Sequence, residues 1–403
     1  MKFKLTSLEK KWVLYDVGNS AFTMMVSTIF PIYFNALAEG AGISDVDYLA
    51  YWGYATSVCT LIVAILGPTL GAIADTKNFK KIVFSISMGI GVFGCILLGF
   101  LSSWIWFLGV FVLAKTGYSA SLIFYDAMLT DVTEPERMDS VSSHGYAWGY
   151  IGSCIPFIAC LGIVLGAGSL GIGTQTSMIL AFVITALWWL CSSIPLLRSY
   201  RQKYFSDADG HVVRNSFKRL GRTFIELTKE KHIFIFLLAF FFYIDGVYTV
   251  IDMATAYGQA LGLDSTGLLL ALLVTQIVAF PCVLIFSRLV KKIKPEAIIT
   301  ICIAAYFCIA VYAYWLDTQF DFWLLAVLVG MFQGTIQALS RSYFAKIIPA
   351  EKSGEFFGIY DICGKGASVI GTALVSVLSQ MTGSINIGVS ALSVMFLIGL
   401  VLF

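Results

Sequence analysis

The chain has 403 residues, of which 59% are hydrophobic and only 12% are charged, about half the charged share of an average soluble protein. A net charge of +2 is too small for a nucleic-acid partner, whose backbone requires a concentrated basic surface. The nine cysteines lie within apolar stretches and lack CxxC or zinc-ligand spacing, so we expect no metal and no cofactor. The composition therefore predicts an integral membrane protein.

Apolar stretches of about twenty residues, long enough to cross about 30 Å of hydrocarbon, occur twelve times. The first six lie near 12–38, 48–74, 81–101, 104–130, 140–166 and 175–197. The second six lie near 232–260, 265–290, 296–316, 321–347, 353–380 and 384–403. One long polar segment separates the two sets. We predict an all-α polytopic membrane protein with an N-terminal six-helix bundle (1–197), a cytoplasmic linker (198–231) and a C-terminal six-helix bundle (232–403).

The basic residues of the loops lie on one side of this helix map. If the N-terminus is cytoplasmic, all loop lysines and arginines are cytoplasmic, and the opposite loops carry only acids: Glu39, Asp45, Asp47, Asp264, Asp317 and Asp321. Membrane proteins keep their basic loops in the cytoplasm, so we predict that both termini are cytoplasmic. The N-terminus has no apolar core followed by a small-residue cleavage site, so we expect no removable signal peptide and a first helix that begins near Trp12.

A small-residue motif ends the second helix. The stretch Gly67–Asp75 (GPTLGAIAD) is followed by Lys77, Lys80 and Lys81. Small residues let two helices approach closely, and the acid can cap a facing helix or pair with a cation. The segment resembles the signature loop between helices 2 and 3 of the major facilitator superfamily. It predicts a gating role for Asp75, and an ordinary basic loop is the alternative.

Four further stretches carry a closer resemblance: 16–22 (DVGNSAF), 141–152, 330–342 (GMFQGTIQALSRS) and 354–358 (GEFFG). Together they resemble the vacuole-effluxer-like branch of that superfamily, which is named for fungal vacuolar amino-acid exporters and has many bacterial members. The resemblance implies a major facilitator fold that works by alternating access, with helices 1, 4, 7 and 10 lining the cavity. It also implies transport of a small solute across a bacterial plasma membrane by a monomer, with amino-acid export as the reference activity.

Five charged residues lie near the middle of their helices, where burial is costly unless the charge is paired or faces water. Asp361 and Lys365 are four residues apart, so we predict that they pair on one helix face. Asp245 and Asp252 are seven apart and have no local base, so a proton, a distant lysine or a cationic substrate group must compensate them. Lys115 is predicted to reach across helices to Asp245 or Asp252. A substrate-binding role is therefore expected, with static pairing as the alternative.

Other polar residues complete the predicted site. On helix 10, Gln333, Gln337 and Arg341 follow at intervals of four, so they present donors for a carboxylate or for interhelical hydrogen bonds. The predicted substrate-binding residues are Lys115, Tyr118, Asp245, Tyr248, Asp252, Gln333, Gln337 and Arg341. The predicted coupling or gating residues are Asp16, Asn19, Asp75, Asp126, His144, Asp361 and Lys365. For His144, a plain hydrogen bond is favoured over titration.

The sequence has no phosphate loop, HExxH, GxSxG or water-facing pair of catalytic carboxylates, so we expect neither an enzyme nor an ATP-driven pump. It predicts a secondary active transporter of a small, amino-acid-like solute, and a proton gradient is one candidate energy source. Its expected partners are that solute, protons and the lipid bilayer. An organic-anion or drug-like solute is the alternative within transport. A non-transporting membrane sensor or a lipid scramblase is the alternative outside it.

Overall fold

The computed structural model describes residues 3–43, 45–169, 171–206, 229–260 and 262–403. Within these residues, twelve helices are long and apolar enough to cross a membrane, as predicted. The first six are α1 (Ser7–Gly40), α2 (Asp45–Ala74), α3 (Phe79–Leu98), α4 (Trp104–Val132), α5 (Pro135–Leu165) and α6 (Thr174–Ser199). The second six are α7 (Lys231–Ala260), α8 (Ser265–Leu289), α9 (Pro295–Trp315), α10 (Gln319–Ile347), α11 (Ala350–Thr382) and α12 (Ile385–Leu402).

The first helix begins earlier than predicted. Thr6 and Glu9 form a capping box, in which the Thr6 amide donates to Glu9 and the Glu9 amide donates to Thr6. Such reciprocal bonds satisfy amides that a helix start leaves without partners, so α1 starts at Ser7 and not near Trp12. Of the predicted linker, residues 207–228 lie outside the described part of the chain. The predicted bundle boundaries therefore stay a prediction.

The helix α1 begins, and α12 ends, at the same end of the bundle. That end also carries the basic loops after α2, α6, α8 and α10, so we call it the basic face, and we call the opposite end the acidic face. The helix α11 changes geometry partway between the two faces, where a π turn over Ile362–Gly366 interrupts the α-helix. Such turns insert one extra residue and often occur at functional sites.

The two six-helix halves meet mainly near the basic face. There α2 packs against α11, while α5 packs against α8 and α10. Glycines permit the closest approach, since a Cβ on Gly71 would collide with the carbonyl of Gly354 and one on Gly358 would collide with Pro68. Nearer the acidic face, the α11 segment Ala367–Thr382 packs on α7 and α12 of its own half. The space between the halves therefore widens toward the acidic face.

Candidate functional site: a charged cavity between the two halves

A cavity of about 380 Å³ lies between the halves. Its walls come from α1, α2, α4 and α5 of the first half and from α7, α8, α10 and α11 of the second. Most of the predicted site residues line it: Asp16, Asn19, Lys115, Tyr118, Asp126, Tyr248, Asp252, Gln333, Gln337, Arg341, Asp361 and Lys365. A cavity with a few converging polar groups and an otherwise apolar and aromatic lining is the usual form of a small-molecule site.

Asp361 and Lys365 form an ion pair on the cavity wall. The Lys365 Nζ lies 2.6 Å from Asp361 Oδ1, and both side chains are partly exposed to the cavity. This confirms the pairing that their spacing predicted. Lys365 belongs to the π turn of α11, and both charges of the pair line the cavity.

Lys115 and Asp252 face each other from opposite halves. Both line the cavity, and each acts electrostatically on the other. Within the described residues, however, the two side chains form no ion pair, so the predicted direct contact between them is wrong. The ammonium of Lys115 lies 5.7 Å from the centre of the Phe111 ring. Lys115 and Asp252 therefore place one positive and one negative group on opposite halves of the cavity wall, without an ion pair between them in the described part of the chain.

Asp245 does not lie in the cavity, which corrects its predicted place in the substrate site. Ile244 and Tyr248 face the cavity from α7. Asp245 follows Ile244 and is therefore turned from it by about 100° around the helix, toward α11. Asp245 is fully buried there, and its Oδ1 accepts bonds from the Gly371 amide at 3.1 Å and the Thr249 hydroxyl at 3.3 Å. Its predicted contact with Lys115 is therefore also wrong.

Uncharged polar groups also line the cavity. The Tyr118 hydroxyl lies 2.6 Å from the Thr23 hydroxyl, and its ring stacks on Phe22. Gln333 and Gln337 point into the cavity from α10, as their spacing predicted. These groups offer hydrogen bonds to a solute without adding charge.

Arg341 closes the cavity toward the basic face. Its Nη1 donates to Asp126 at 2.9 Å and its Nη2 to Asp16 at 3.4 Å, so a second-half residue pairs with two first-half acids. Its Nε donates to the Ser142 hydroxyl, and the guanidinium lies 4.4 Å from the centre of the Tyr146 ring. Only 2% of Arg341 is exposed.

The role of Arg341 in holding a substrate carboxylate stays a prediction. Its donors are engaged by the protein, which agrees with the alternative of interhelical hydrogen bonding. Asp16, Asn19 and Asp126 lie where gating residues were predicted, and Asn19 donates to Asp16 at 3.3 Å. Their gating role stays a prediction.

Asp75 caps the start of α11 from the opposite half. Its two carboxyl oxygens accept the amides of Gly354 at 2.7 Å and Glu355 at 2.9 Å. Lys80 lies 3.9 Å away. The cap and the neighbouring cation are both as the motif predicted. Asp75 lies just beyond the span that ends at Ala74, and burial raises the pKa of its carboxyl to about 7.

Two further contacts on the basic face were missed by sequence reasoning. The fully buried Lys80 donates to Asp131 at 3.2 Å and to Ser353 of the second half at 2.8 Å. Asp139 of α5 accepts bonds from Ser342 and Lys346 of α10. Asp131 lies 51 residues from Lys80, and the other partners lie more than 200 residues apart in the sequence, so only tertiary packing reveals these contacts.

His144 lies outside the cavity, against the N-terminal segment. Its Nδ1 is 2.7 Å from the Ser140 carbonyl, and its ring lies 5.4 Å from that of Phe3. The plain hydrogen bond that was favoured for this residue is confirmed. Its predicted role in coupling or gating is untested.

The family described as Vacuole effluxer Atg22 like matches the chain over residues 7–403. The chain belongs to this family. The Bacillus subtilis protein named Uncharacterized MFS-type transporter YxiO is 42% identical, covering 100% of this chain and 95% of that protein. Autophagy-related protein 22 of Coccidioides immitis is 23% identical, covering 88% of this chain and 72% of that protein. The chain is thus an MFS-type transporter, and the family resemblance is confirmed.

Solved structures share the fold. The human organic anion transporter MFSD10 matches with a TM-score of 0.75 at 13% identity over 98% of both chains. A bacterial homologue of the iron transporter ferroportin in the outward-facing state matches with a TM-score of 0.71 at 15% identity, again over 98% of both chains. FucP in the outward conformation matches with a TM-score of 0.69 at 12% identity over 98% of this chain and 96% of that one. They confirm the predicted major facilitator fold of two six-helix bundles.

Proposed function

We propose that this chain is a secondary active transporter of a small zwitterionic, amino-acid-like solute. The observation that carries the proposal is the separation of Lys115 and Asp252 across the cavity. A solute that bears a carboxylate and an amine would pair with both groups at once, and each contact would offset the cost of burying the other charge. The other charged groups of the cavity wall are the ion pair of Asp361 and Lys365 and the cluster of Arg341 with Asp16 and Asp126.

The energy source that we propose is a proton gradient, since nothing in the sequence provides for ATP hydrolysis. The membrane that we propose is a bacterial plasma membrane, in keeping with the Bacillus subtilis relative. We place the basic face in the cytoplasm, because basic loops stay on the cytoplasmic side. On this placement both termini are cytoplasmic, and the conformation described here is closed to the cytoplasm and open to the outside.

The test is counterflow with purified protein in liposomes. Liposomes preloaded with an unlabelled mixture of amino acids receive a trace of the radiolabelled mixture, and the label should accumulate transiently above the level of protein-free liposomes. Lys115→Gln and Asp252→Asn should each reduce this uptake at least about tenfold, since each leaves one buried charge of the bound solute without a partner. The matched controls are Lys292→Gln and Glu39→Gln, which change exposed residues of the same charge. Uptake that survives both cavity substitutions would refute the binding assignment.

A second candidate is an organic anion. Lys115 forms no ion pair within the described residues, and it shares the cavity with the ammonium of Lys365 and five tyrosines. A relative by fold is an organic anion transporter, although at 13% identity it shares only the architecture. Radiolabelled benzoate in the same counterflow experiment separates the candidates. An anion should need Lys115 and be indifferent to Asp252→Asn, whereas a zwitterion should need both. Membership of a transporter family favours either solute over the sensor and scramblase alternatives.

A further inference from the structure

Asp245 is buried between α7 and α11 with half of its carboxyl unsatisfied. Its Oδ1 accepts the Gly371 amide and the Thr249 hydroxyl. Its Oδ2 has no hydrogen-bond partner in the part of the chain that the structure describes. The side chain is 0% exposed and lies at mid-helix, within a membrane span.

Within the described ranges of the chain, no cation pairs with this carboxyl. The helices packed against α7 are α8, α10, α11 and α12. Their charged residues in the described sequence are Arg288, Asp321, Arg341, Lys346, Glu351, Lys352, Glu355, Asp361 and Lys365, and α12 has none. None of these forms an ion pair with Asp245 among the described residues. Two of the cations are engaged elsewhere, since Lys365 pairs with Asp361 and Arg341 pairs with Asp126.

An ionised carboxylate in this place would bear an uncompensated charge and a bare oxygen inside the membrane, which is far more costly than a neutral acid. We infer that Asp245 is the proton-binding carboxyl of this transporter, and that it carries its proton while the halves are closed at the basic face. This inference rests on the proposed function, since it assigns the residue through which a proton gradient would drive transport.

The position of Asp245 links its proton to the movement of α11. Gly371 has no side chain, and a Cβ there would collide with the oxygens of Thr249 and Asp245, so the carboxyl reaches the α11 backbone directly. The start of the same helix is held by Asp75 of the first half. When the basic face opens, α11 leaves that cap and shifts relative to α7. The bond from Gly371 then breaks, the Asp245 carboxyl meets water, and its O–H bond ionises with water as the proton acceptor.

The first test detects the proton without any solute. Infrared spectra of purified protein near neutral pH should contain the carbonyl band of a buried protonated carboxylic acid. Asp245→Asn should remove this band and Asp245→Glu should restore one at a shifted position. Asp361→Asn is the matched control and should leave the band in place, because Lys365 pairs with that carboxylate. Because the raised pKa of Asp75 gives it a band in the same region near neutral pH, all of these spectra are recorded in an Asp75→Asn background. A band that persists there in well-folded Asp245→Asn protein would overturn the assignment. If that variant does not fold, an unshifted band in Asp245→Glu would overturn it equally.

The second test measures coupling in liposomes with the radiolabelled amino-acid mixture. Asp245→Asn should retain counterflow, because Asp245 lies outside the cavity, and should lose accumulation driven by an imposed pH gradient. Asp245→Glu should recover part of that accumulation. A variant that still accumulates solute in response to the pH gradient would refute the inference. If the wild type moves no amino acid at all, the proposed function fails, and the infrared band alone still decides whether Asp245 holds a proton.

Discussion

Arg341 of α10 and Asp126 of α4 form an ion pair between the two halves, with 2.9 Å between Nη1 and Oδ1. Asp16 of α1 approaches the same guanidinium at 3.4 Å. The cluster has two acids for one base, and it lies at the end of the cavity nearest the basic face. Any conformation open at that face has to separate these groups, so the strength of the ion pairs between them sets how long the closed conformation persists.

We therefore expect Arg341→Ala to favour the conformation open at the basic face. Removing one partner of a buried ion pair costs about 3–5 kcal/mol because the remaining acids stay buried without compensation. Opening lets Asp16 and Asp126 reach water, so the equilibrium should shift by about a hundredfold or more. The readout is the rate at which a membrane-impermeant thiol reagent labels Thr23→Cys, a position exposed in the cavity. The experiment uses cells that express the protein with its native cysteines replaced. Labelling should slow at least about tenfold. Arg201→Ala, at an exposed arginine of the basic face, should not change it.

The pH dependence of stability should report on Asp75. Its pKa is raised from an ordinary 3.8 to about 7, so between these values the folded protein binds a proton that the unfolded chain has released. The stabilisation of the fold by this proton is complete below the pKa that Asp75 has in the unfolded chain, and it is lost as pH rises through about 7. The apparent Tm of the wild type should thus fall between about pH 5 and about pH 8. Asp75→Asn should lack that part of the decline, and Asp131→Asn should keep it. A wild-type Tm that rises over this interval would contradict the assignment.

Helix number, the grouping of the basic loops at one end of the bundle and the α11 cap were predictable because each depends on local composition or on one family motif. The pair of Asp361 and Lys365 was predictable because its geometry is set within one helix turn. Asp245 was misplaced because a spacing of seven residues fixes a shared helix face but not which neighbour covers each turn. The bonds of Arg341 to Asp126 and of Asp139 to Lys346 depend on how two distant halves dock, and the spacing of residues in a single sequence contains no such signal.

A charge swap should separate stability from transport at Asp361 and Lys365. Asp361→Asn removes the carboxylate that pairs with Lys365 in a partly buried wall, so the apparent Tm should fall. Reversing the pair with Asp361→Lys and Lys365→Asp restores neutrality and should recover most of the Tm. Counterflow of the amino-acid mixture should nevertheless stay low, since the charges now meet the solute from exchanged positions. If the swapped protein transports normally, the pair serves only the fold.

The helices α2 and α11 cross in close backbone contact at Gly71 and Gly354. Gly71 contacts the Gly354 backbone so closely that an added Cβ would overlap the carbonyl group, and backbone on both sides leaves no flexible side chain to yield. Gly71→Ala should push the helices apart, lowering stability by about 1–3 kcal/mol and loosening the Asp75 cap on the same crossing.

Gly53→Ala on the same helix is the matched control, because a Cβ there meets nothing within 4 Å. Since alanine is the better helix former by about 0.5–1 kcal/mol, the control should be neutral or slightly stabilising. Thermal unfolding and Thr23→Cys labelling of both variants check this. Equal behaviour of the two glycine variants would show that the crossing tolerates expansion, and that Asp75 and Arg341 alone keep the basic face closed.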